Sequence, residues 1–190
     1  MMCWVVIESG TADWATTLVK ESAPEGELEE TSEKIAAQAL SAFWLCFMGA
    51  RLLTAWLIHG AELESAELVR ITQFVQVGIA ILAVLTMLSL VVARSRRLVV
   101  AAVIFAGLIC GPFFPNVIGQ LFTHLKAHDQ MAFAGRSVGM IFACASVGWT
   151  LLPIAMGYVA LKKNIRTSFL LPAAAGVVMT VLILVNRISV

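Results

Sequence analysis

Charge is scarce in this chain. Only 13% of its 190 residues are Asp, Glu, Lys or Arg, against about a quarter in an ordinary soluble domain. No basic excess exists, since 13 Lys and Arg stand against 12 Asp and Glu. That balance excludes the phosphate neutralisation on which nucleic-acid binding depends. Cysteine is sparse and scattered, at Cys3, Cys46, Cys110 and Cys144, which excludes a disulfide scaffold. At least three of the four lie in apolar runs, where a thiol behaves as a small hydrophobe. A Walker-type phosphate loop is missing, and no polar segment is long enough for a catalytic domain. Neither a Ser–His set nor paired acids occur in the apolar runs, so the expectation is no enzyme and no cofactor. The apolar start, 1–7, has no basic residues before it and no small-residue cleavage site after it, unlike a signal peptide. What the chain has in abundance is apolar surface: 60% hydrophobic residues and a mean hydropathy of +0.91. High apolarity with a net charge of +1 excludes disorder.

The apolar residues are gathered into long runs. Residues 71–93, 98–123, 137–161 and 167–186 contain no Asp, Glu, Lys, Arg or His, and 35–58 contains one, Arg51. A bilayer core of about 30 Å needs roughly 20 helical residues, so each run is long enough to cross. Each backbone amide must be satisfied within its own segment there, which selects helices. The ~10-residue alternating segments of a membrane barrel do not occur. The expectation is an all-α membrane protein: a polytopic helical bundle of five full transmembrane helices, forming one transmembrane domain over 1–190.

The first 19 residues read as a partial helix, the second half of a spanning segment. An amphipathic helix lying on the membrane surface is the alternative. Residues 20–34 hold six Glu and two Lys and read as an acidic loop, with room for a short amphipathic helix over 27–34. The connection 59–70 is also acidic, with Glu62, Glu64 and Glu67. The remaining connections are basic: Arg94, Arg96 and Arg97, then Lys126 and Arg136, then Lys162, Lys163 and Arg166.

Few polar groups interrupt the spans. Arg51 lies eight residues before His59. It either faces a partner or wet cavity, or snorkels the roughly 12 Å to the helix end. Glu8 and Asp13 are five residues apart, about 140° around a helix, so they do not share one pocket. Asp13 with Trp14 fits an interfacial position. Glu8, flanked by apolar residues, is a candidate proton carrier if it is buried, or simply lies near water. Gln73 and Gln76 fit the membrane edge. His124 and His128 have metal-ligand spacing, but Lys126 between them favours a solvated loop, and no metal site is expected.

The stretch GLICGPFFPN, 107–116, is the most informative. Pro112 and Pro115 remove backbone donors and should bend or break the helix in mid-membrane. Gly107 and Gly111 form a small-xxx-small pair for close helix approach. Asn116 and Gln120 follow on one face, where both could hydrogen-bond a hydroxylated solute. A packing kink is the alternative reading. Gly148 and Pro153 repeat the pattern of a small residue and a kink in 137–161.

Taken in order, VVIESGTADWATTLVKE, FWLCFMGARLLTAWLIHG, GLICGPFFPN, SVGWTLLPIAMGYVA and IRTSFLLP resemble successive helices of a known family. The resemblance is to the C-terminal half of a major facilitator superfamily transporter, in the sugar-permease branch that includes fucose permeases. It implies a secondary active transporter of a small hydrophilic solute, a sugar, with a proton or sodium ion as coupling partner. It implies a partly represented seventh helix and helices eight to twelve, with a first lobe or a second copy as partner, in the cell membrane. Glu8, Trp14, Asn116 and Gln120 would line the substrate cavity, and Arg51 would be a gating or structural charge. One departure is the loop HGAELESAELVR, which stands where the family usually continues Asp-Arg-x-Gly-Arg. A non-transporting assembly partner or an inactive transporter fragment is the competing reading.

The resemblance also carries a topology. Lys and Arg in the first, third and fifth connections number eight, against four in the second, fourth and C-terminal tail. The positive-inside rule would therefore place 20–34 in the cytoplasm. Family topology places that loop outside and the C-terminus inside, and this is the expectation adopted. A reporter that works only in the cytoplasm, fused to Val190, should then be active. An inactive reporter on a stably inserted chain would favour the charge count instead.

Overall fold

The computed structural model describes residues 1–60 and 65–188. Glu62 and Glu64 of the second acidic connection lie outside the described residues. Everything described is helix or short turn: α1 (Met2–Glu21), α2 (Glu29–Gly60), α3 (Ser65–Val92), α4 (Arg96–Cys110), α5 (Phe113–Ala127), α6 (Ala134–Lys162), α7 (Ile165–Ser168) and α8 (Leu170–Ile188). A 3₁₀ turn over Met131–Phe133 leads into α6. Five segments are long and apolar enough to cross a membrane, each 21–32 residues long: Glu29–Ile58, Arg70–Val92, Arg96–Ala127, Met131–Lys162 and Ile165–Val185.

The helices overrun the charge-free runs at most ends, because charged residues can complete a helix in the headgroup zone. This shortens the acidic connection expected over 20–34. Glu29 and Glu30 form the first turn of α2, where carboxylates complement the helix dipole. Only 22–28 remains as a link, turned at Gly26, whose φ of +83° favours glycine. At the α6–α7 junction, Asn164 accepts from the Thr167 backbone N–H at 2.8 Å and caps α7.

The distribution of polarity is inverted relative to a soluble protein. Large apolar side chains point outward, among them Leu45, Leu52 and Trp56 on α2, Val92 on α3 and Leu161 on α6. Glu8, Ser9, Thr11, Thr72, Gln76 and Asn116 are buried. Apolar surface on this scale would be a liability in water and is the expected exterior in lipid. Six helix hydroxyls are satisfied locally, whereas Ser9 and Ser32 are buried without a partner. Thr11, Thr54, Thr86, Ser146, Thr150 and Thr180 each donate to the carbonyl four residues earlier.

The principal helix pairings are α1 with α6, α2 with α4, and α3 with α8. Take α1, α2 and α3 as one triplet, and α4–α5, α6 and α7–α8 as the other. Exchanging the triplets leaves this set of pairings unchanged. Successive spans alternate in direction, so α4–α5 runs opposite to α1 and the two triplets are inverted relative to one another. The first residues form a helix enclosed by others, which excludes the alternative of a helix lying on the membrane surface. α1 is the hub instead, packed by α2, α4, α6 and α8, with Trp4, Ile7, Ala15, Leu18 and Val19 fully buried. It lies along the second half of α6, with Met2 beside Gly148 and Trp14 beside Gly157.

The closest crossing is between α2 and α4. A Cβ on Gly107 would strike the Phe43 carbonyl oxygen and stand 3.0 Å from the Phe43 Cα; one on Gly111 would strike the Phe47 carbonyl and meet the Ala50 Cβ at 2.7 Å. Backbone cannot retreat as a flexible side chain can. Gly107→Leu or Gly111→Leu should therefore destabilise the bundle by about 2–4 kcal/mol, read as loss of monodisperse protein and a lower thermal midpoint in detergent. Gly139→Ala, with open space around it, should leave both unchanged or slightly improved.

Candidate functional site

Helix α4 ends at Cys110 and α5 begins at Phe113, so Pro112 falls at the junction as expected. The backbone nevertheless stays in the helical region through it, with Gly111 at φ −55°, ψ −52° and Pro112 at φ −68°, ψ −22°. Donors on either side remain bonded: Gly111 N–H to the Gly107 carbonyl at 3.1 Å and Asn116 N–H to the Pro112 carbonyl at 3.3 Å. The span therefore stays helical through the proline pair, the interruption being confined to Gly111 and Pro112. Pro153 likewise sits inside an unbroken α6.

Just before Pro112, at half the height of the 32-residue span Arg96–Ala127, three polar residues lie near one another. Glu8 comes from α1 and is only 9% exposed. Arg51 comes from α2, its backbone opposite Gly111. Cys110 closes α4 and is buried. Glu8 lies within electrostatic range of both Arg51 and Cys110. Glu8 and Arg51 form no direct ion pair, the ion pairs among the described residues being Lys20–Glu33 and Arg96–Glu27.

Arg51 does not stretch toward its helix end. Its guanidinium lies over the Phe47 ring, one turn earlier, with 4.5 Å to the centroid, and over Phe114 of α5 at 4.8 Å. Helical side chains lean toward the N-terminus, which for this residue is toward the bundle middle. Its Nε is buried without a hydrogen-bond partner. The aromatic faces supply part of the stabilisation that water would otherwise give. One turn below Glu8, Trp4 stacks on Phe113 with centroids 4.1 Å apart and planes within 12°. Asp13, by contrast, is exposed on α1.

A second polar group lies between α3 and α5. Gln120 Nε2 donates to Thr72 Oγ1 at 3.0 Å. The helices are antiparallel, so one turn along, Gln76 comes opposite Asn116. Both are buried, and the amide nitrogens of both lack a hydrogen-bond partner. Gln76 is thus a core residue, where its place in the sequence suggested a membrane edge. Its signal was the shared four-residue spacing: Thr72 and Gln76 match Gln120 and Asn116 in reverse order.

The four residues expected to line one cavity do not converge. Glu8 is level with Cys110, Trp14 lies roughly 9 Å toward one end, and Asn116 and Gln120 lie roughly 9 and 15 Å toward the other, at about 1.5 Å per residue. Trp14 is half-buried against Gly157, its indole N–H without a partner. One monosaccharide cannot touch both Trp14 and Gln120. His124 and His128 adjoin, with ring centroids 4.5 Å apart, and no group of three metal-ligating side chains occurs among the described residues. With known proteins the chain finds no counterpart: no family model, no curated protein and no solved structure matches it.

The unpaired amides lead to opposite expectations for two neighbours. Asn116→Leu should relieve a buried, unbonded donor and raise the thermal midpoint by about 2–4 °C, equivalent to about 1 kcal/mol. Gln120→Leu loses its bond to Thr72 and should lower stability by about 0.6 kcal/mol. Circular dichroism melts in detergent check both, and a destabilised Asn116→Leu would mean that its amide is engaged.

Proposed function

We propose that this chain is an integral, multi-pass protein of the cell membrane and forms one lobe of a secondary active transporter for a small hydrophilic solute, a sugar. The observation that carries this reading is the exchange of its inverted helix triplets. Inverted repeats with discontinuous or bent helices at the midplane are the usual frame of such carriers. A buried carboxylate and an arginine at half-height are the second support, because ionisable groups at that depth tend to mark a solute or ion path. The resemblance to the C-terminal half of a major facilitator carrier points the same way. In this reading Glu8 binds the coupling proton or sodium ion. Arg51, held between two aromatic rings, is the gating charge that Glu8 faces. Trp14 and the Asn116–Gln120 pair flank the solute on either side rather than touching it together. The exposed Asp13 and Thr17 on α1 form a polar stripe unsuited to lipid. That stripe is where a first lobe or a second copy would complete the chamber. No catalytic role and no cofactor enters this scheme.

A non-transporting assembly partner or inactive transporter fragment is the second reading, and one observation favours it. Gln120 is spent on Thr72, as expected if the α5 amides serve packing alone.

Proteoliposome uptake separates the two. The carrier reading expects saturable entry of a labelled hexose under an imposed proton or sodium gradient. Glu8→Gln should cut gradient-driven accumulation at least about tenfold, roughly 1.4 kcal/mol of coupling, while sparing exchange across a loaded vesicle. No saturable flux at any protein density, or flux indifferent to Glu8→Gln, would favour the assembly partner.

A further inference from the structure

Two voids meet at the end of the bundle where α3 hands over to α4, and neither belongs to the site described above. The first, about 630 Å³, is an apolar groove on the outer surface between the two helices, lined by Val92, Leu98, Ala101 and Phe105. The second, about 540 Å³, is polar and lies between the α1–α2 and α3–α4 connections, lined by Ser22, Arg96 and Arg97. Arg94 and Ser95 line both, so an oily void and a cationic one adjoin at these two residues.

The charges in the cationic end are not equivalent. Arg96 is committed to Glu27, with Nη1 on Oε2 and with Nη2 on Oε1 at 2.8 Å. Arg94 and Arg97 are exposed and make no ion pair with any described residue. The Ser95 hydroxyl is not used to cap α4. The residues that begin α4, Ser95, Arg96 and Arg97, line the same space, and an uncapped helix start is a favourable setting for an anion. A free anion would not require the groove, and an uncharged acyl chain would not require the arginines.

We propose that this site binds an anionic glycerophospholipid. Its phosphodiester lies between Arg94, Arg97 and the start of α4, and one acyl chain fills the groove over Leu98, Ala101 and Phe105. The order of the parts matches the molecule: charged head at the bundle end, glycerol at Ser95, chain running toward the membrane middle. Juxtamembrane arginines attract anionic lipid by a substantial factor each, and a groove between helices fixes which lipid stays. The inference rests on the membrane setting and is independent of whether the chain transports.

Native mass spectrometry of the full chain, purified in neutral detergent and exposed to mixed micelles, tests it. Phosphatidylglycerol should be retained about tenfold better than phosphatidylcholine with the same chains. Arg94→Gln with Arg97→Gln should erase that preference, whereas Arg94→Lys with Arg97→Lys should keep most of it. Ala101→Trp, which fills the groove and leaves every charge in place, should lower phosphatidylglycerol retention; it carries the test should the glutamine variant fail to fold by circular dichroism. Glycerol phosphate at millimolar concentration should not displace the lipid. Equal retention of the two lipids, wild-type retention by a folded glutamine variant, no effect of Ala101→Trp, or displacement by glycerol phosphate would each overturn the proposal. The last result would point to a soluble phosphate instead.

Discussion

A carboxylate cannot face hydrocarbon, and α1 carries one at half the height of the bundle. Glu8, Ser9 and Thr11 are consecutive or nearly so, and all are buried. Shielding them takes neighbours on every side, and four helices supply them. The arrangement of the protein follows from that demand. α1 becomes the hub although it is the least apolar of the long helices, because the more apolar ones can afford to face lipid. The outward Leu, Val and Trp side chains of α2, α3 and α6 are the other half of the same partition.

Close approach depends on glycine. In lipid, apolar burial alone does not drive helices together, so contact area and interhelical hydrogen bonds must do so. Gly107 and Gly111 let α4 rest on the α2 backbone. Gly10 does the corresponding service on α1, where a Cβ would stand 2.8 Å from the Leu152 side chain of α6. These two crossings are partners under the exchange of triplets, so small residues recur where the exchange requires them. The group formed by Glu8, Arg51 and Cys110 lies beside the α2–α4 crossing, which fixes the distance between hub and α2 and hence between carboxylate and guanidinium.

Much of this was legible in the chain. Five apolar runs gave five spans, and the Gly-x-x-x-Gly pair gave the tightest contact. The role of α1 was not, because its seven apolar residues end at Glu8 and only neighbours far along the sequence show that the helix is enclosed. Pro112 and Pro115 read as a bend or break. The chain stays in helical dihedrals there, since Gly111 and Pro112 both accept them and the flanking donors find the usual acceptors. The direction of Arg51 depended on Phe114, sixty-three residues away. Gln76 looked peripheral because a run of apolar residues gives no depth scale until its partner helix is known. The four expected cavity residues share a chemical character, but their heights emerge only from the register of α1 against α4.

The charged end of the bundle shows why counting basic residues gives an ambiguous topology. Three connections meet there, and each contributes to joining the others. Arg96 at the start of α4 grips Glu27 of the α1–α2 link. Arg166 of α7 reaches both Ser22 Oγ, at 2.7 Å, and the Ala93 carbonyl at the end of α3. Lys20 and Glu33 bridge α1 to α2 at 2.6 Å. A cation held by a carboxylate or a carbonyl has a packing reason to be at that end, whichever side of the membrane the end occupies. The acidic first connection has the same reason in Glu27, which pairs with Arg96 of its neighbour. Arg94 and Arg97 at the α3–α4 turn make no ion pair among the described residues; both line the polar void, and Arg94 also borders the apolar groove. The eight basic residues on this side therefore divide into those that knit the loops and those that face outward, and only the second group is free to respond to lipid charge in the folded protein.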